Sequence, residues 1–316
     1  DARSLPFGPG DSYSFSERGV VYILDNRLYY DDLARGKANW MLELTGSGFR
    51  VTAGADFIVV YSDNLVQALD YQGQPRTTYL EFNSQILEAR VGQNMFALLR
   101  QDAVGNFAIS MISSSGEQLT PLDEKLAGNY ILDFGYYGGD KLWVMMMNTS
   151  TNAPVTTINT YERDDTLTGM ISIQDELVTG VYTNANHFYV SGVYNLHMYS
   201  SSRREECSLL TFGWQVLDHF DGEGGHSYFL LRGQDAQRGT AGGEGRIITL
   251  PESQAAVEIR FPEDCLDAFI QNGKVVMVMP DRVRVLNLDG SLAQSVSLDI
   301  PVEAAFEATD SRLVLE

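Results

Sequence analysis

The 316-residue chain is 44% hydrophobic and 20% charged, which is enough apolar material for a core and too little charge for a disordered polymer. Its 42 acidic residues against 22 basic ones give a formal net charge of -20, which argues against nucleic acid and anionic headgroups as partners. Two cysteines, Cys207 and Cys265, make neither a disulfide framework nor a metal knuckle and are expected as free, mostly buried thiols.

The chain opens on Asp1, and DARSLPFGPGDSYS is polar and rich in Pro, Gly and Ser. Residues 1–16 therefore read as a linker, after a processed start from which a signal or anchor has been removed. The rest of the chain has no membrane span, because the longest apolar run, LWVMMM from Leu142, falls far short of the ~20 residues a helix needs.

From residue 17 onward strands recur. Paired segments of a strand, a short turn and a strongly apolar strand begin at Phe49, Ile86, Ile131, Val178, Val216, Leu266 and Val302. Between them lie outer hairpins, the first at Arg27–Leu44, that end in alternating apolar and polar residues. Examples are NWMLEL, TTYLEF, GMISI, SLLTF, VEIRF and SVSLDI, and such alternation marks a strand with one buried face. Each outer hairpin turns at an equivalent place, held by Gly36, Gly73, Gly116, Asp165, Arg203, Gln254 and Gly290. These turns are spaced by about 42 residues on average, the length of a four-stranded propeller blade. No amphipathic helix interrupts the pattern, although PLDEKLAG from Pro121 could form one turn.

The expected fold is all-β: one domain over 17–316, a seven-bladed β-propeller of four-stranded antiparallel blades, its ring closed by strands from both termini. VVYIL (Val20–Leu24) and RLVLE (Arg312–Glu316) compete for one strand of the shared blade, and eight blades are the alternative.

The hairpin cadence resembles YVTN/PQQ-like and WD40-like propellers in general. VVYILDNRLYYDDLARGK (Val20–Lys37) with VVYSDNLVQALDYQGQ (Val59–Gln74) resembles the DUF5711 family of uncharacterised bacterial propellers. That resemblance implies an extracytoplasmic protein, held at the surface of a Gram-positive bacterium by an N-terminal anchor absent from this chain. It implies no catalytic residues. The named propeller signatures are missing: Trp40, Trp143 and Trp214 are followed by Met, Val and Gln, so no Trp-Asp pair exists. The sialidase Asp box and the quinone-docking motif are also missing, and no cofactor is expected.

Three stretches could carry chemistry. DHFDGEGGH (Asp218–His226) offers His219, Asp221 and His226 as metal ligands, although the same residues make a Gly-rich hairpin turn. RGQDAQRGTAGGEGR is the longest polar insertion, and it reads as a long surface loop carrying Arg232, Asp235, Arg238, Glu244 and Arg246 as candidate binding residues. Tyr136, Tyr137 and Tyr194 sit near turns and are read as packing between blades, with an interface role as the other reading. The function expected is a binding or scaffold module, monomeric, for an unknown protein or glycan. A carbohydrate-active hydrolase or lyase at the central channel mouth is the alternative.

Overall fold

A computed structural model describes residues 5–8, 10–32, 37–119, 122, 126, 128–148, 155–234, 243–251, 255–303, 305–309 and 312–315. The chain divides into two compact units, Asp1–Asp175 and Glu176–Glu316. Among the described residues no helix is long and apolar enough to cross a membrane.

The first unit holds four sheets of sequential antiparallel strands. The first is β1 (Ser12–Ser16), β2 (Gly19–Leu24), β3 (Arg27–Asp32) and β4 (Lys37–Glu43). The second is β5 (Arg50–Ala53), β6 (Ile58–Tyr61), β7 (Leu65–Leu69) and the short β8 (Leu80–Glu81). The third is β9 (Gln85–Val91), β10 (Met95–Gln101) and β11 (Phe107–Ser113), with a bridge from Ile112 to Gln118 in the fourth-strand place. The fourth is β12 (Tyr130–Tyr137), β13 (Lys141–Asn148), β14 (Val155–Tyr161) and β15 (Leu167–Ile173).

The second unit continues the pattern. Its first sheet, the fifth of the chain, is β16 (Val178–Thr183), β17 (His187–Gly192), β18 (Asn195–Ser200) and β19 (Glu205–Leu210). The sixth is β20 (Trp214–Asp221), β21 (Ser227–Gly233), β22 (Gly243–Leu250) and β23 (Val257–Phe261). The seventh is β24 (Asp267–Gln271), β25 (Lys274–Met279), β26 (Arg282–Asn287) and β27 (Leu292–Ser297). A last hairpin, β28 (Ala305–Thr309) and β29 (Arg312–Leu315), forms a two-stranded sheet of its own.

Seven successive sheets fit a blade count of seven. The first sheet differs from expectation, because Ser12–Ser16, read from its composition as linker, pairs with Gly19–Ile23 as a strand. The alternation of SYSFS explains this: the Ser12 and Ser14 hydroxyls accept hydrogen bonds from the N–H groups of Val51 and Ala53 on β5, fixing the strand against the second sheet. Val20–Leu24 is thus the second strand of a sheet built wholly from the N-terminal stretch.

Within each unit neighbouring sheets share cores. On β6 the consecutive buried residues split by parity: Ile58 and Val60 join Val21, Leu28 and Leu44, while Val59 and Tyr61 join Ile86, Phe96 and Leu98. Such middle strands bury both faces, so they read as unbroken apolar runs, whereas the outer strands alternate. On β21, Phe229 and Leu231 pack towards the fifth sheet and Leu230 towards the seventh.

The predicted turns are one repeated device. Gly73, Gly116, Asp165, Arg203 and Gly290 take φ of 80°, 90°, 67°, 65° and 80°. In each, the N–H donates to the carbonyl three residues earlier. This is a type I turn closed by a left-handed residue, which favours Gly and tolerates Asp. Gly36 and Gln254 lie outside the described residues.

Candidate functional site

The candidate residues named by the sequence take separate partners once folded. His219 on β20 is stacked on Phe229 at 5.9 Å and tilted against Tyr182 at 4.9 Å, and burial lowers its basicity. Asp221 is engaged by the Ser227 hydroxyl and by the Asn184 amide at 3.2 Å. His226 ends the Gly-rich turn, its Nδ1 buried without a hydrogen-bond partner among the described residues. Among the described residues no three His, Cys, Asp or Glu side chains form a metal-holding group, so the proposed ligand set is a stacked core histidine beside a hydrogen-bonded hairpin turn.

The long loop is also shorter than its composition suggested. Arg232 lies on β21, and Glu244 and Arg246 lie on β22, because those flanks pair in register as Leu231 with Arg246 and Arg232 with Gly245. Asp235 and Arg238 lie outside the described residues. Alternation along the strands sends the two arginines to opposite faces. Arg232 lies over Phe261 at 4.7 Å. Burial leaves the nearby Asp267 carboxyl above its ordinary value, opposed in part by the Ala268 N–H and the Arg232 charge. In the same place burial pushes the Cys265 thiol up to about 11, against the pull of Arg232. Arg246 instead lies over Trp214 at 4.2 Å and pairs with Glu258 at 2.8 Å.

That second face carries the candidate site. A groove of about 110 Å³ is lined by Leu209, Leu210, Thr211, Trp214, Arg246 and Ile248 among others. It lies between the outer strand of the fifth sheet and the face of the sixth. Apolar walls with a few placed polar groups are the usual make-up of a binding site. The Thr211 hydroxyl is buried, with no hydrogen-bond partner among the described residues.

Beside the groove, at the same end of the fifth sheet, Leu177, Tyr194, Leu210 and Phe212 are 59%, 46%, 74% and 64% exposed. Tyr194 and Phe212 stack on each other at 5.6 Å. Tyr194 therefore does not pack between sheets as expected; it stands on the β17–β18 turn with its ring in the open. Tyr136 is half-buried against the core of Met95, Ile131 and Leu142, with its hydroxyl shielded from solvent, and desolvation drives its phenol well above the ordinary range.

The turn that presents Tyr194 is held by Glu176. This carboxylate accepts from the Tyr194 and Asn195 N–H groups and lies 3.1 Å from His197 Nε2. Burial pushes the Glu176 carboxyl up, yet the bonds from His197, Asn195 and Tyr194 outweigh it and leave the carboxyl below its ordinary value. The other ring nitrogen of His197 is 2.8 Å from Glu205 Oε1, and both nitrogens donate at once only in the doubly protonated ring. A glycine is required at 192, where an added Cβ would lie 2.2 Å from Glu176 Oε1. The groove itself left only a faint mark in the sequence: SLLTFGWQ breaks its alternation with two successive leucines just before a turn.

No protein-family model matches the chain, and no curated protein matches it. Solved structures do. The WD40 domain of SCAP from fission yeast superposes with a TM-score of 0.66 at 10% identity, covering 97% of this chain and 94% of that one. The Dos1 propeller gives 0.60 at 12% identity, over 96% and 88%. Apo AztD from Citrobacter koseri gives 0.55 at 11% identity, over 88% and 81%. At such identities the likeness establishes the β-propeller fold and leaves function to the site.

Proposed function

We propose that this chain is a protein-binding module that docks its partner on the Leu177, Tyr194, Leu210 and Phe212 surface and the adjoining groove. The observation that carries this reading is the exposed Tyr194–Phe212 stack, placed directly beside a largely apolar groove that Arg246 also lines. Aromatic pairs of this kind bury large area at little cost in rotamer entropy, which is why Tyr and Trp anchor interfaces. The turn under Tyr194 is braced by Glu176, so the surface is set before a partner arrives.

On this reading the seven sheets are seven blades, and β28–β29 is an additional hairpin that takes part in closing the fold. The resemblance of Val20–Lys37 and Val59–Gln74 to the DUF5711 propellers supports a setting outside the cytoplasm, on a membrane-anchored bacterial surface protein. A formal charge of -20 suits an exposed and soluble surface.

A photo-crosslinking amino acid placed at Phe212, and as control at the equally exposed Leu292 of β27, tests the assignment in the cell of origin. The expected result is a discrete protein adduct from position 212 and none from 292. Equal or empty labelling at both positions would remove the docking surface.

A further inference from the structure

The sixth and seventh sheets lie in one unit and take their strands in the same order, so their outer strands can be compared directly. On β23, Val257, Ile259 and Phe261 pack towards the seventh sheet; Ile259 is 9% exposed and Phe261 is buried. On β27 the corresponding face carries Gln294 and Val296, which pair with Val285 and Val283 of β26. Val296 is 43% exposed, and every residue of β27 is exposed. Leu292 is opposite Leu286, which packs on the core shared with the sixth sheet, so Leu292 belongs to the other face.

Cover runs out from the inner strands of the seventh sheet to the outer ones. Phe269 on β24, Val276 and Val278 on β25 and Val283 on β26 are buried, Val285 is partly buried, and Val296 is open. The element beside this face is β28–β29, with β28 next to β24. Neighbouring strands are about 4.8 Å apart, so a two-stranded sheet shields half the width of a four-stranded one. Its edge is open as well. In the seven larger sheets the second strand pairs on both sides, whereas among the described residues β29 pairs with β28 alone. Such an edge, with unpaired N–H and C=O groups, is a template for a further strand.

Among the described residues no strand of the chain is left to take that place. Each sheet is assembled in sequence order, and Ser12–Ser16 is already committed to the first. A second copy does not supply it either, because its own β28–β29 hairpin is seated beside its own β24.

We infer that a partner protein docks a β-hairpin here: one strand pairs antiparallel with β29, the other lies outermost, and alternate apolar side chains cover Val285 and Val296, so that two proteins together build one four-stranded sheet. Main-chain bonds to β29 supply affinity, and the open apolar face sets the register. This surface belongs to the seventh sheet and is separate from Tyr194 and Phe212 on the fifth.

A displayed library of hairpins of about 16 residues, two randomised strands joined by Asn-Gly, selected on the full chain tests this. The expected pool carries apolar residues at alternate positions. Binding should fall about tenfold or more with Val296→Asp, an exposed change whose folding circular dichroism checks, and stay unchanged with Phe212→Ser. A bound hairpin should slow hydrogen exchange of the Arg312–Leu315 amides about tenfold. In the cell of origin, a photo-crosslinking amino acid at Val296 should join a second protein. An empty pool, binding indifferent to Val296→Asp or lost with Phe212→Ser, or unchanged exchange in Arg312–Leu315 overturns the inference. So does a crosslink to another copy of this chain alone, or none.

Discussion

The link from the first sheet to the second and the link from the fifth to the sixth solve one geometric problem in opposite ways. Both make the same backbone bond, from Leu44 to Asn26 and from Thr211 to Tyr194. In the first, Leu44 and Phe49 are each 6% exposed and join the core formed with Val21, Val51 and Ile58. In the second, Thr211 turns a hydroxyl inward without a partner among the described residues, Trp214 takes Arg246 on its ring, and Leu210 and Phe212 face solvent. The first link is closed with hydrocarbon. The other holds a groove and an aromatic surface that packing alone does not require. The lesson is that function is to be sought where equivalent positions stop obeying the burial rule.

Substitutions that exchange these solutions should separate packing from recognition. The largest effect is expected from Leu44→Thr, which places a polar group in a filled core and leaves a void; a loss of about 2–4 kcal/mol is expected by urea denaturation. A loss under about 1 kcal/mol would show that the first link is as open as the other. Gly192→Ala should come next, at about 1–3 kcal/mol, because the new methyl displaces Glu176 from the Tyr194 turn. Its signature is a changed Tyr194 ring signal in NMR spectra, and an unchanged signal would sever Glu176 from the surface. Thr211→Val should stabilise by about 1 kcal/mol, since a methyl replaces a hydroxyl that lacks a bond. A destabilised variant would mean that the hydroxyl is satisfied within the chain.

The interior of the sixth sheet offers a pH test that leaves its rim untouched. Burial lowers the pKa of His219 on folding, so below the ordinary histidine value of about 6.5 the unfolded chain binds a proton that the folded chain resists. Stability from this group is therefore full above that value and declines as pH falls towards the depressed folded pKa. Asp218 acts in the opposite sense, because burial raises its carboxyl and acidification relieves a penalty present at neutral pH. Between about pH 7.5 and 5.5, a window that spans the ordinary histidine value, the melting temperature of His219→Phe should fall less than that of the native chain. Equal slopes would show that the ring is hydrated despite its stacking. The smallest effect belongs to Phe212→Ser, an exposed change expected to alter stability by less than about 0.5 kcal/mol while abolishing capture of the partner protein by the otherwise native chain.

Much of the scaffold is legible in the sequence because it is periodic. The seven predicted inner hairpins are all strand pairs, and the predicted turn residues Gly73, Gly116, Asp165, Arg203 and Gly290 share one left-handed conformation. Arg203 is placed by spacing alone, since nothing in its chemistry announces that turn, whereas Asp165 is a residue the left-handed position tolerates. Composition read without register misleads. Ser12–Ser16 has the make-up of a linker but alternates into a strand, and Arg232, Glu244 and Arg246 have the make-up of a loop but pair across β21 and β22. DHFDGEGGH gathers ligand types in the sequence, yet among the described residues no three His, Cys, Asp or Glu side chains form a metal-holding group.

The repeat length, the two-residue alternation and the turn chemistry are local properties, and they suffice for an all-β chain of four-stranded sheets. The groove is non-local. Thr211 becomes an anomaly only when the two links are aligned by their hydrogen bonds, and Tyr194 becomes a partner of Phe212 only when two turns well apart in the chain meet at one end of a sheet. Burial and hydrogen-bond satisfaction belong to the folded arrangement, so the sequence alone could name these residues but not say which of them lacks a partner.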